Sequence, residues 1–219
     1  YVYSDGVNVP DLVIDVAKCF NCNCCTLACH DEYFDNEFPG YASGMPKHGQ
    51  NWISITQRET GTVPMVEVSY LPTTCNHCDN PPCLAAARDG AVVKRDDGIV
   101  IIVPEKARGQ RQIVDACPYG AVHWNEERQL PQAWPFDAHL LDKGWKRTRG
   151  AQSCPTRAMQ VLHVEDDEMK RIVAEEGLEV LHPEYGTAPR VYYRNLKRFR
   201  SLFIGGSVAG EIAGVVECV

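Results

Sequence analysis

The chain has 219 residues, of which 44% are hydrophobic and 23% charged, and its formal net charge is −7. This length suffices for one substantial domain or two small ones, and the negative charge argues against a nucleic acid partner. No apolar run reaches about 18 residues, so we expect neither a membrane span nor a signal peptide. The eleven cysteines are odd in number and tightly grouped, which favours metal ligation in a reducing compartment, and hence the cytoplasm, over disulfides.

Short strands and helices, joined by loops that carry cysteines, are predicted in the first third of the chain. A strand at residues 12–16 leads into the first cysteine loop, and a helix at 26–34 follows that loop. Alternating apolar residues predict two further strands, at 53–57 and 66–70. The second of these strands leads to Cys75.

The middle of the chain predicts a helix, a hairpin and a second helix. Pro82 stands near the start of the first helix, which we expect at 82–88. Strands at 91–94 and 99–103 flank an Asp-Asp-Gly turn. The second helix is predicted over 105–116, directly before Cys117.

The composition changes beyond residue 164. A helix is predicted with Asp166 or Asp167 as its N-cap and Gly177 as its stop. Residues 178–181 and 191–193 are predicted as strands of an extended tail, because prolines and glycines interrupt anything longer.

Most cysteines fall into groups whose spacing is typical of iron-sulfur proteins. The groups are Cys19, Cys22, Cys25 and Cys29; Cys75, Cys78 and Cys83; Cys117-Pro118; and Cys154-Pro155. Three thiolates on one loop bind three corners of a cubane 4Fe-4S cluster, and a distant Cys-Pro supplies the fourth ligand. Crossed pairing, as in two-cluster ferredoxins, assigns Cys154 to the first triad and Cys117 to the second. The predicted ligand sets are therefore Cys19, Cys22, Cys25 and Cys154 for cluster 1, and Cys75, Cys78, Cys83 and Cys117 for cluster 2.

Cys29 has no cluster of its own under this pairing, because no cysteine lies between the two Cys-Pro elements. It is either a buried free thiol or one ligand of a degenerate third cluster that uses Asp137 or His139. Cys24 is interpreted as non-ligating, and Cys218 is too isolated to assign.

Zinc is the alternative metal, because Cys75-Asn76-His77-Cys78 also fits half of a zinc knuckle. Structural zinc usually takes two pairs of ligands, however, rather than three ligands on one loop. Three histidines close to the cysteine groups are either tuning residues for a cluster or ordinary polar loop residues: His30, His77 and His123.

The patterns Cys-x2-Cys-x2-Cys-x3-Cys and Cys-x2-Cys-x4-Cys, with two Cys-Pro-x-x-Ala elements, resemble the iron-sulfur (beta) subunits of the molybdenum or tungsten bis-pterin oxidoreductases. These are the dimethyl-sulfoxide-reductase-type enzymes. Four stretches are most similar to the small subunits of transhydroxylases acting on pyrogallol and phloroglucinol: residues 15–19, 36–41, 175–180 and 189–193. The resemblance covers nearly the whole chain.

The resemblance implies a large partner subunit that carries the bis-pterin centre and the active site, in a heterodimer or a higher assembly. By the same resemblance, cluster 1 lies nearest that centre, and this chain has no catalytic residue. Complete family members carry further cysteines at positions corresponding to Ala87, Arg108, Arg111 and Val114. The middle cluster of the transhydroxylase subunits uses positions that look like Trp134, Asp137 and about Gly150, so the resemblance implies that this cluster has been lost.

The expected fold is α+β. Residues 1–164 are predicted to form tandem ferredoxin-like 4Fe-4S modules, residues 165–204 a helix and an extended partner-contacting segment, and residues 205–219 the start of a β-barrel-like domain.

The leading functional hypothesis is an iron-sulfur subunit of a molybdopterin-dependent transhydroxylase-like enzyme, which moves a hydroxyl group between polyhydroxylated benzenes. That reaction has no net redox change, so a missing cluster is tolerable. One alternative is a subunit that passes electrons between the catalytic subunit and an external carrier, as in a resorcinol-hydroxylase-like enzyme. The other is a subunit whose clusters serve only folding and docking.

Overall fold

The computed structural model describes residues 9–201 and contains short strands and helices in the mixed order of an α+β protein. The strands are β1 (Val9–Asp15), β2 (Ser54–Thr62), β3 (Met65–Thr73), β4 (Val92–Lys94), β5 (Val100–Ile102), β6 (His123–Asn125), β7 (Leu130–Gln132), β8 (Met159–Val164) and β9 (Val191–Arg194). The helices are α1 (Cys24–Tyr33), α2 (Pro82–Ala86), α3 (Pro104–Ala107), α4 (Gln112–Asp115), α5 (Ala138–Leu141), α6 (Arg149–Ser153), α7 (Asp166–Glu176) and α8 (Lys197–Arg200), with a 3₁₀ turn at Pro183–Tyr185.

Strand β1 is the centre of a three-stranded sheet of order β8-β1-β9. It runs antiparallel to β8, with Leu12 opposite Val161, and parallel to β9, with Leu12 opposite Val191. All seven residues of β1 are buried. The other six strands form three antiparallel hairpins, β2-β3, β4-β5 and β6-β7.

The main hydrophobic core lies between this sheet and helix α1. Its largest fully buried side chains include Trp134, Tyr33, Tyr193 and Phe136. A second cluster of buried residues packs around the β4-β5 hairpin, and a third packs under α7. The first two of these cores hold the cysteine loops in place.

Most of the predicted elements are confirmed, including α1, strands β2 and β3, the β4-β5 hairpin, and α7 with Gly177 in the left-handed conformation at φ 60°. The single helix predicted over 105–116 is wrong. The chain divides into α3 and α4, because Gly109 adopts φ 77° between them.

Two smaller predictions also need correction. The N-cap of α7 is Glu165, and Asp166 lies in the first turn. Residues 178–181 form no strand; only Glu179 makes an isolated bridge, to Tyr193. The predicted β-domain start at 205–219 lies outside the described residues. No helix in residues 9–201 is both long and apolar enough to cross a bilayer.

Candidate iron-sulfur sites

The first cysteine set is brought together by the packing of α1 against α6. Cys19 and Cys22 lie on the β1-α1 loop, Cys25 lies in the first turn of α1, and Cys154 follows α6 directly. The Cys19 thiol is within electrostatic reach of those of Cys22 and Cys154, and the Cys25 thiol is within reach of those of Cys19 and Cys154. Residues from two distant segments thus converge as crossed pairing predicts.

The second set converges in the same way. Cys75, Cys78, Cys83 and Cys117 line one pocket. The Cys75 thiol is within electrostatic reach of the other three. The hydroxyl of Thr187 also hydrogen-bonds the Cys78 thiol, which ties the loop to the segment before β9.

Left-handed residues inside both loops direct backbone N–H groups at the sulfurs. Asn21 and His77 have φ values of 61° and 44°. The N–H of Asn21 donates to Cys19, and that of His77 donates to Cys75. Concavities of this kind bind anions and occur at many Fe-S sites. The loops therefore suit a negatively charged thiolate-ligated cluster.

Burial changes the acid-base behaviour of these thiols. It raises the pKa of Cys25 and that of Cys83 to about 11, and it raises the pKa of Cys75 well above the ordinary value of a thiol. Without metal these thiols are protonated at neutral pH, so metal binding must release protons.

Within residues 9–201 no three His, Cys, Asp or Glu side chains gather closely enough to hold a single metal ion.

Comparison with known proteins identifies the kind of site. Residues 66–164 match the 4Fe-4S dicluster domain. The chain is 46% identical over 200 residues to the pyrogallol hydroxytransferase small subunit of Pelobacter acidigallici, covering 90% of this chain and 72% of that protein. It is 33% identical to a subunit of the tetrathionate reductase of Salmonella typhimurium, covering 84% and 72% of the two chains. It is also 38% identical to the beta subunit of the dimethylsulfide dehydrogenase of Rhodovulum sulfidophilum, covering 68% and 46%.

The chain belongs to the iron-sulfur subunits of the dimethyl-sulfoxide-reductase-type molybdenum enzymes. Its cofactor is therefore iron-sulfur rather than zinc, and members of this family are electron-transfer subunits of molybdenum enzymes that have a separate catalytic subunit.

Asp137, one of the residues considered for a third cluster, is the acceptor of a buried hydrogen-bond network. Its Oδ1 accepts from the Tyr33 hydroxyl at 2.7 Å and from Trp134 Nε1 at 2.8 Å. Its Oδ2 accepts from the backbone N–H of Arg149 at 2.6 Å. Burial raises the pKa of Asp137, and these three hydrogen bonds oppose that rise. Both carboxylate oxygens thus have protein donors.

Cys29 and His139 lie beside this network. Cys29 is 2% exposed, and burial raises its pKa well above the ordinary value, with a further contribution from Asp137. His139 Nε2 lies 2.9 Å from Glu32 Oε1, and its Nδ1 lies 3.5 Å from the Tyr33 hydroxyl. Both ring nitrogens of His139 therefore face protein groups.

Bulky side chains pack in the same hydrophobic core as Cys29. Trp134 is 1% exposed and stacks on Phe136, with ring centroids 4.9 Å apart. Gly150 lies so close to its neighbours that a Cβ there would sit 3.1 Å from Met159 Sδ and 3.2 Å from Ile53 Cδ1. We call Tyr33, Trp134, Phe136 and Asp137 the core plug.

Sequence reasoning did not find the role of Tyr33. The available signal was its spacing: Cys25, Cys29 and Tyr33 follow one another at four-residue intervals, and these three are the buried residues of α1. A helical face that carries two thiols and then a tyrosine extends from the first cysteine set into the core.

His77 is the only one of the three histidines considered above that is both fully buried and left with an unpartnered ring nitrogen among residues 9–201. Its Nδ1 accepts the Val100 N–H at 3.1 Å, so Nε2 carries the proton. Burial lowers the pKa of His77 to about 3 and also lowers that of His123. His77 is therefore neutral and lines the pocket of the second cysteine set.

An ion-pair network connects the second cysteine loop to the central sheet. Arg190 Nε lies 2.6 Å from Asp79 Oδ1, next to Cys78, and its Nη1 lies 2.9 Å from Asp166 Oδ1. The same Nη1 lies 3.5 Å from Asp11 Oδ1. Burial raises the pKa of Asp11 to about 7, against the opposing effect of Arg190.

Proposed function

We propose that this chain is the iron-sulfur subunit of a molybdopterin-dependent transhydroxylase-like enzyme and that it holds two 4Fe-4S clusters. The ligands are Cys19, Cys22, Cys25 and Cys154 for cluster 1, and Cys75, Cys78, Cys83 and Cys117 for cluster 2. The observation that carries the proposal is the convergence of each set from two distant segments. The identity of 46% to a pyrogallol hydroxytransferase small subunit supports the reaction class.

The limit of two clusters follows from the surroundings of Cys29. A third cluster needs three further ligands and the space of a cube beside this thiol. The carboxylate of Asp137 instead accepts three hydrogen bonds, His139 faces Tyr33 and Glu32, and the aromatic residues of the core plug are buried in the same core as Cys29. We therefore propose that Cys29 is a free buried thiol.

A bound 4Fe-4S cluster supplies a one-electron couple. The chain's own residues hold the sulfurs, donate backbone N–H groups to them and shield them from water by burial. The hydroxyl transfer between polyhydroxylated benzenes takes place, on this proposal, at the molybdenum or tungsten bis-pterin centre of a large partner subunit, in a cytoplasmic heterodimer or higher assembly.

Iron counting tests the cluster number. The complex, purified anaerobically, is expected to contain about eight iron atoms per copy of this chain, because each 4Fe-4S site holds four. The iron and this subunit are quantified in the same sample by colorimetry and amino-acid analysis. A value of about twelve would show a third cluster and contradict the proposal.

Electron transfer to an external carrier is the second candidate, because two relatives are named as subunits of a dehydrogenase and of a reductase. Redox titration followed by EPR separates the two functions. Clusters that remain inert during turnover with a polyhydroxylated benzene support the transhydroxylase. Rapid reduction of both clusters by substrate, with turnover that depends on an added acceptor, supports the electron carrier.

A further inference from the structure

Strand β8 forms one edge of the central sheet, and no other strand within residues 9–201 pairs with it on the side away from β1. The Asp15 N–H donates to the Ala158 carbonyl at 2.7 Å, which fixes the hydrogen-bonding phase of the β1-β8 pair. Hydrogen-bonded pairs alternate along an antiparallel ladder, so the even-numbered residues of β8 direct their backbone groups toward β1. The odd-numbered residues direct theirs to the open edge: Met159, Val161 and His163. In the described part of the chain these outward groups have no backbone partner.

This edge lies in a cleft of about 520 Å³ whose other wall is the loop before α6; we call it the β8 cleft. Its lining includes four basic side chains, Lys146, Arg147, Arg157 and His163, and no Asp or Glu of the described residues. Arg147 and Arg157 are exposed, and neither forms an ion pair with another residue in 9–201. In a chain of net charge −7 the cleft is a local concentration of positive charge.

The β8 cleft also borders cluster 1. Ala151 and Arg157, which both line it, lie three residues before and three residues after Cys154. A protein bound in the cleft would therefore lie beside the site that we propose for cluster 1.

We propose that the β8 cleft binds an extended acidic segment of the catalytic subunit, which adds to β8 as a further strand. This inference rests on the proposed function, which supplies that partner. Strand addition satisfies the open backbone groups of β8, as in other complexes formed by β-augmentation. Carboxylates on the added segment meet Arg147 and Arg157, which gives the contact its charge complementarity.

A second copy of this chain is a poorer occupant of the β8 cleft. Pairing of two β8 edges would bring two sets of Arg147 and Arg157 together, and such like-charge contacts are unfavourable. The charges that attract an acidic segment thus also oppose self-association.

The backbone part of the proposal is tested by Val161→Pro in the full chain. Val161 points its N–H to the open edge, so proline there keeps the hydrogen bonds to β1 and removes one outward donor. Val161→Thr, which keeps the N–H and the β-branched shape, is the matched control. We measure the affinity of each variant for the purified catalytic subunit that co-purifies with the tagged wild-type chain. We expect at least tenfold weaker binding for the proline variant and less than twofold change for the threonine variant.

The charge part is tested by the double variant Arg147→Glu/Arg157→Glu. We expect at least tenfold weaker binding at low salt and a smaller loss at high salt, because salt screens exposed charges. Arg108→Glu is the control, since Arg108 is exposed, without an ion pair among residues 9–201, and outside the β8 cleft. If the Val161→Pro variant loses iron or unfolds, the comparison of Arg147→Glu/Arg157→Glu with Arg108→Glu decides whether the catalytic subunit binds in the β8 cleft.

The outcomes separate this inference from the proposed function. If the wild-type chain captures no molybdenum- or tungsten-pterin protein, the proposed function is wrong. If it captures one, and the proline and charge-reversal variants bind it as tightly as wild type, the docking inference is wrong and the proposed function stands. Loss of binding by those variants, with both controls unchanged, supports the inference.

Discussion

Replacing Asp137 with alanine tests whether this residue anchors the core or binds a metal. The substitution removes the acceptor of three hydrogen bonds, and two of the donors belong to fully buried side chains, Tyr33 and Trp134. Each buried donor left without a partner costs about 1–3 kcal/mol. The two buried donors together give an expected loss of about 2–6 kcal/mol, which is a large part of the stability of a typical domain, about 5–15 kcal/mol.

For a chain of this size each kcal/mol lowers the melting temperature by about 2–4 °C, so a drop of at least about 4 °C is expected. Thermal unfolding of the anaerobic full-length protein is followed by circular dichroism, and iron is counted in the same preparation. Asp115→Ala, at an exposed position of α4, is the control and should change the melting temperature little. Tyr33→Phe removes one of the three hydrogen bonds and should cost about 1–2 kcal/mol.

The two candidate roles of Asp137, core anchor and cluster ligand, predict different iron contents for the alanine variant. An anchor lost from the core lowers the melting temperature and leaves about eight iron atoms per chain. A ligand lost from a cluster removes about four iron atoms. A melting temperature within about 2 °C of wild type would refute the energetic reasoning, because it would mean that the three donors find other partners.

Two further predictions concern the ligands and the ion-pair network. Cys154→Ala and Cys117→Ala should each remove about four iron atoms, because each removes one ligand of a 4Fe-4S cluster. Cys29→Ala should leave the iron content unchanged. Iron loss from the Cys29 variant would contradict the two-cluster proposal. Because burial raises the folded-state pKa of Asp11 from 3.8 to about 7, protonated Asp11 stabilises the fold at low pH, and this contribution is lost as pH rises from about 4 to about 7. The full pKa difference corresponds to about 4 kcal/mol of unfolding free energy. Melting temperatures measured from pH 5 to pH 8 should therefore fall more steeply for wild type than for Asp11→Asn. Parallel curves would contradict the assignment of this pH dependence to Asp11.

The cysteine sets could be predicted from the sequence, because ligand spacing on one loop is a local property. The assignment of Cys154 to the first triad came from the general rule for two-cluster ferredoxins and remains a prediction. Secondary structure could be predicted where apolar and polar residues clearly alternate, as in strands β2 and β3.

Other features depend on contacts between distant segments and could not be predicted. The carboxylate of Asp137 suggested a metal ligand, yet its three donors come from α1, from Trp134 and from the start of α6. The division of the predicted helix 105–116 depends on the left-handed conformation of Gly109, which the apolar pattern around it does not reveal. The position of β8 at the edge of the sheet depends on the order β8-β1-β9, which brings together strands far apart in the sequence of residues 9–201.

The core plug makes the proposed loss of a cluster difficult to reverse during evolution. On the alignment that the resemblance implies, a lineage regaining the site would need new ligands near Trp134, Asp137 and Gly150. A cysteine at Gly150 would first meet Met159 and Ile53. Replacing Trp134 alone would leave a cavity, and replacing Asp137 alone would leave buried hydrogen-bond donors without an acceptor. Each single substitution toward the lost site gives a less stable protein. The core plug therefore opposes the return of a third cluster and keeps the lineage at the two clusters proposed above.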